Sequence, residues 1–174
     1  MGRMNDDLRE AFRSFGISSA AAMLKKAERE YHRFVGAADN DDRRDAAINC
    51  ALTQWHVTDW LWVALEKDDT NEEIRRVFGI TEARMTKKLF LAAVERDCPE
   101  IALCQSVANG SKHVLWGSHV KSLEKSLLDN GTMPQVADDP LYIYSKGQPV
   151  EAAKVFYKVQ DYWENLGGWS QVFL

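Results

Sequence analysis

The chain has 174 residues, of which 45% are hydrophobic and 28% charged, and its formal net charge is −4. That length suits one domain, residues 1–174, and a chain this long buries roughly 70% of its extended surface without needing disulfides or a structural metal. The balance of charge excludes a basic field over the whole surface, so any nucleic-acid site has to be local.

Taken in chain order, Asn5–Phe15 opens acidic and places Leu8, Phe12 and Phe15 at helical spacing, ending near Gly16. Ser18 or Ser19 can cap a second helix to about Val35, with Ala22, Leu24, Ala27, Tyr31 and Phe34 inward and Gly36 closing it. After a polar loop, Asp42–Glu66 is the longest helical pattern. Its apolar residues cover most of the circumference, which predicts a helix central to its bundle. Thr70 and Glu73 have capping-box spacing for a short helix to about Val77, broken by Gly79. Thr81 is placed to cap a helix over Glu82–Arg96, with Met85, Leu89, Phe90 and Ala93 inward. Pro99 suits the first turn of another helix, to about His113. Residues 114–140 give a mixed pattern, helical spacing followed by turn-like composition. Leu141–Tyr144 reads as a strand with a turn at Ser145–Gly147, and Val150–Leu166 as the last helix. The fold class is therefore mainly α: a bundle of about five to six helices with a small β excursion before the C-terminal helix.

The N-terminal MGRMNDDLREAF has no apolar run of the signal-peptide kind, and the apolar stretch at Trp60–Leu65 is far too short to span a bilayer. The expected address is cytoplasmic, with no membrane partner. Cys50, Cys98 and Cys104 are an odd set without CxxC spacing, which predicts reduced, buried thiols.

Unusual polar residues gather in two segments, Asn49–Trp60 and Cys104–His113. In the first, Asn49, Thr53, His56 and Trp60 share a narrow helical stripe with Asp59 at its edge. His56 and Asp59 are three residues apart, close enough for the carboxylate to orient the imidazole, as acid–base chemistry requires. The same pair also serves simply to satisfy two buried polar groups. In the second segment Gln105, Asn109 and His113 recur every four residues with Lys112 adjacent, a set of donors suited to an anion or phosphate. Mid-helix Gly110 is consistent with close approach of another backbone or ligand, while Asn109-Gly110 is equally a pair that ends helices.

The ANGSKH stretch at Ala108–His113 resembles the motif of the HEPN superfamily, small helical-bundle domains marked by an arginine, a polar residue and a histidine four to six residues on. Asn109 and His113 match in type and spacing, and Ala108 stands in the arginine's place. The resemblance implies a homodimer with two motif helices facing across a cleft. It also implies RNA or a nucleotide as ligand and, in active members, metal-independent RNA cleavage. His113 is then the catalytic acid or base, Asn109 positions it or the phosphate, and Lys112 supplies part of the missing charge, with His56 and Asp59 in support. Many members of the family bind or scaffold without catalysis. The paired segments and tryptophan-bearing last helix also resemble a group of bacterial and prophage proteins.

Two other readings stay open. One is a non-enzymatic dimeric interaction protein using its aromatic surface, with Trp169 and Phe173 near the chain end. The other is a small metal-binding helical bundle drawing on His56, Asp59, His113 and His119, with His32 as a further donor. None of the histidine spacings is HxxxH or HExxH, so no metal and no cofactor is assigned.

Overall fold

The computed structural model describes residues 15–112, 140–145 and 148–166. The expected helix at Asn5–Phe15, the segment 114–139 and the chain end with Trp169 and Phe173 lie outside them, apart from Phe15. Among the described residues are six α-helices and one antiparallel pair of strands, in the order that the hydrophobic pattern implies.

Helix α1 (Ala20–Gly36) begins where Ser19 is extended and its Oγ accepts the Ala22 N–H at 3.1 Å. Ala20, Met23, Ala27, Glu30 and Phe34 form its buried stripe. Helix α2 (Asn40–Leu65) is capped by Asp39, whose carboxylate accepts the Asp41 and Asp42 N–H groups at 2.9 Å each. It packs against α1, α5 (Glu100–Lys112), α6 (Ala152–Leu166) and α4 (Lys87–Asp97), as a central helix should. Only one face does this work. Ala47, Cys50, Ala51, Gln54, Val57, Thr58, Leu61, Trp62 and Leu65 are buried at three- and four-residue steps. Ile48 and Val63, on the other side, are 38% and 60% exposed.

A short 3₁₀ turn at Glu66–Asp68 leads to α3 (Glu72–Val77). Its cap is Asn71 and not Thr70: Asn71 Oδ1 accepts the Glu73 and Ile74 N–H groups at 3.0 and 3.2 Å, while its Nδ2 donates to Asp68. Gly79 ends the turn with φ +60°, where a Cβ would also lie 3.3 Å from the Arg96 guanidinium. The expected cap at Thr81 is not used. Residues 81–86 are non-helical because Met85 is tied down, its N–H donating to Asp69 O at 2.8 Å and its side chain fully buried. Arg84 pairs with the Asp69 carboxylate beside it. Thr86 then caps α4, accepting the Leu89 N–H.

Strand β1 (Tyr142–Ser145) pairs antiparallel with β2 (Gln148–Glu151), Tyr142 opposite Glu151 and Ser145 opposite Gln148. The pairing takes Val150 and Glu151 out of the last helix, so α6 starts at Ala152, two residues later than the pattern suggests. The Ala152 N–H donates to Leu141 O at 2.8 Å and carries the ladder to the helix start.

The core is a continuous cluster joining all the helices. Phe34 meets Phe156 edge-on at 5.1 Å, and Phe78 meets Phe90 in the same way at 5.1 Å, geometries that suit the aromatic quadrupole. Among the described residues one charged group lies within this packing. Glu30, 5% exposed, accepts from Lys26 Nζ at 2.9 Å and Arg33 Nη1 at 2.8 Å, and Lys26 also donates to buried Thr53 Oγ1 at 2.7 Å. Burial pushes the Glu30 carboxyl up, but the two cationic donors outweigh it and hold it below the ordinary carboxylate value.

Candidate functional site

Helix α5 carries the motif segment. Its first turn is anchored by Glu100, which accepts Lys158 Nζ of α6 at 2.5 Å. Ile101, Cys104 and Ala108 form its buried row, at spacings of three and four. The helix runs unbroken through Asn109-Gly110 to Lys112, so this pair does not end it. No described atom comes within 4 Å of the place where a Gly110 Cβ would be. Gln105 is half-buried and Asn109 exposed, one step round from the buried row. His113 lies outside the described residues. Ala108, in the arginine's place, is 4% exposed on the core side.

The first polar segment is divided by the surface of the bundle. Thr53 is buried against Lys26, while Asn49 and His56 on the same stripe are exposed. Asp59 does not turn to His56. It pairs with Lys87 Nζ of α4 at 2.8 Å, because the start of α4 brings a cation to the same face. The expected His56–Asp59 hydrogen bond is thus replaced by an exposed ion pair between helices.

The two segments do meet, but through residues the motif reading passed over. Gln54, fully buried on the face of α2 opposite His56, donates Nε2–H to Phe156 O at 2.9 Å. Its Oε1 takes the weak Cys104 S–H donor at 3.4 Å. One side chain therefore links α2, α5 and α6. The available signal was a glutamine in the middle of the apolar row Cys50–Val57–Leu61.

Burial restricts the chemistry of the three thiols. Burial pushes the Cys50 thiol up to about 12 and Cys98 up to about 11, and raises Cys104 well above the ordinary value. Three protonated, enclosed thiols are poor nucleophiles. The native protein is expected to leave all three unreacted toward a thiol-disulfide reagent over minutes. Complete reaction should follow addition of denaturant, read by thiolate release.

Among the described residues no group of three or more His, Cys, Asp or Glu side chains converges to hold a metal. His32 on α1 lies 4.0 Å from Glu28, and His119 is outside the described residues. Among the described helices none is long and apolar enough to cross a membrane. Comparison with known proteins finds no matching family model, no matching curated protein and no matching solved structure.

Proposed function

We propose that the chain is a HEPN-like helical domain that works by binding rather than by cutting, and that its first partner is a second copy of itself. The observation that supports this is the two-sided apolar character of α2. One side fills the core. The other presents Ile48, Leu52 and Val63 in a row of partly or fully exposed apolar residues. The charges beside this row are already paired, Asp41 with Arg44 and Asp59 with Lys87, so they leave it free to meet an apolar partner. A two-fold axis near the middle of α2 sets the row against its own copy.

The expected solution mass is twice the 19.8 kDa of one chain, measured by light scattering on a sizing column. Ile48→Glu together with Val63→Glu should return it to one chain while the melting temperature stays within a few degrees. A wild-type protein that remains a single chain at high micromolar concentration ends the reading.

RNA or a nucleotide at the end of α5 is the second reading, favoured by Asn109 standing exposed on the last turns of a helix that closes on Lys112. Its measure is fluorescence anisotropy with a labelled single-stranded RNA at low salt. Asn109→Ala or His113→Ala should weaken that signal, and no cleavage product should accompany it.

A further inference from the structure

Asn109-Gly110 stands within the motif segment, and among the described residues nothing in the backbone or the packing requires its glycine. Gly110 lies inside α5, and its φ is not positive, unlike those of Gly16 and Gly79. A Cβ added to it would meet no described atom within 4 Å. Glycine in a helix nonetheless lowers its stability relative to alanine. What this glycine does supply is an unhindered backbone nitrogen next to an asparagine amide. Among the described residues no other asparagine is followed by glycine.

That pairing is chemically reactive. The Gly110 nitrogen can attack Asn109 Cγ. The N–Cγ bond forms, the Cγ–Nδ2 bond breaks, and Nδ2 leaves as ammonia with the proton of the Gly110 N–H. Water then opens the resulting succinimide at either carbonyl, giving aspartate or isoaspartate. Inside the helix this step is blocked. The Gly110 N–H is directed to the carbonyl four residues back, that of Ser106, and the helical backbone holds the nitrogen away from Cγ. The block is local. Asn109 and Gly110 are both exposed, and Ala108 is the last buried residue described on α5. An exposed last turn with little apolar burial opens far more readily than the whole domain unfolds.

We propose that Asn109-Gly110 is a self-modifying site, converted with water alone at a rate set by opening of the last turn of α5. The conversion runs one way. Either product puts a carboxylate near the C-terminal end of a helix, where the helix dipole disfavours it. Isoaspartate also adds a methylene to the backbone, which breaks the register of the hydrogen-bond ladder. The end of α5 is thereby loosened, and an amide that both donates and accepts becomes an acceptor alone. The proposal rests on neither the dimer nor RNA: its readout is covalent.

The test is incubation of the full chain at neutral pH, with and without urea, followed by trypsin and mass spectrometry. The peptide Asp97–Lys112 carries Asn109-Gly110, and Ser126–Lys146 carries Asn130-Gly131, the same pair outside the described residues, as a chemical reference. In urea the two pairs should convert alike, each gaining the single mass unit that replacing NH2 by OH brings. In the native chain Asn109 should still convert, about ten-fold or more slower than in urea, by the factor that hydrogen exchange gives for protection of the Gly110 amide. Gly110→Ala should slow conversion in urea by about ten-fold or more, since the added Cβ hinders the attack. Asn109→Asp, which is the aspartate product made directly, should exchange the amides of the last turn several-fold faster than the wild type. Native conversion as fast as in urea overturns the proposal, as does no native product after the time that the measured protection predicts. Wild-type rates in Gly110→Ala, or unchanged exchange in Asn109→Asp, overturn it equally.

Discussion

Arginine in place of Ala108 is expected to unfold the domain or destabilise it by at least about 3 kcal/mol, and not to create a ribonuclease. The substitution completes the motif on paper. In the molecule position 108 continues the buried row of Ile101 and Cys104 on α5, at 4% exposure. A guanidinium there starts from a position where even the methyl group is 4% exposed, and an uncompensated buried charge costs about 3–5 kcal/mol. Urea denaturation gives the measure: the midpoint should fall sharply, or the protein should lose its cooperative transition. Ala108→Ser, small enough for the site, should cost far less and separates the charge effect from mere disturbance. A fully stable Ala108→Arg protein that cuts RNA would show that the motif helix faces a substrate, and the binding reading would fall with it.

Phe156→Ala should cost about 3–5 kcal/mol, the range for deleting a buried aromatic ring. Phe156 is 1% exposed on α6, and its ring receives Phe34 of α1 edge-on at 5.1 Å. Its carbonyl also accepts the Gln54 amide at 2.9 Å. Loss of the ring therefore opens a void where α1, α2 and α6 join. Gln54→Met, close to glutamine in volume, isolates the polar part. Removing both of its hydrogen bonds should cost less than the ring, since a net hydrogen bond contributes only about 0.5–1.5 kcal/mol. Thermal melts of both variants, with the double variant as a cycle, measure how far the ring and the amide are coupled.

Helix positions were readable from the chain wherever a local signal coincided with a periodic one. Ser19 before Ala27 and Phe34 and Pro99 before α5 are of this kind, although the buried stripe of α1 runs through Met23 and Glu30 instead of Ala22, Leu24 and Tyr31. The helix starts that moved are those where a distant contact competed. The Thr81 cap lost to the tie between Met85 and Asp69, and Val150 went to the strand because Ile143 lies opposite it. Asn71 displaced Thr70 by a single residue, a choice between two competent caps that propensity does not resolve.

The candidate site was less legible than the fold. Spacing along α2 correctly placed Asn49, Thr53 and His56 on one stripe but could not say that the bundle surface runs along it. Nor could spacing reveal Lys87, which is 28 residues from Asp59 and claims its carboxylate.

Of the two polar segments, the amino-acid order determined their existence, their helices and the alanine where the motif has arginine. Only the tertiary structure decided that they meet through Gln54 and Cys104, that His56 faces outward, and that Ala108 belongs to the core. The reason is geometric. Periodicity reports which residues share a face of a helix, whereas burial, partners and charge pairing depend on which neighbouring helix covers that face. That neighbour is brought there by packing across the whole chain.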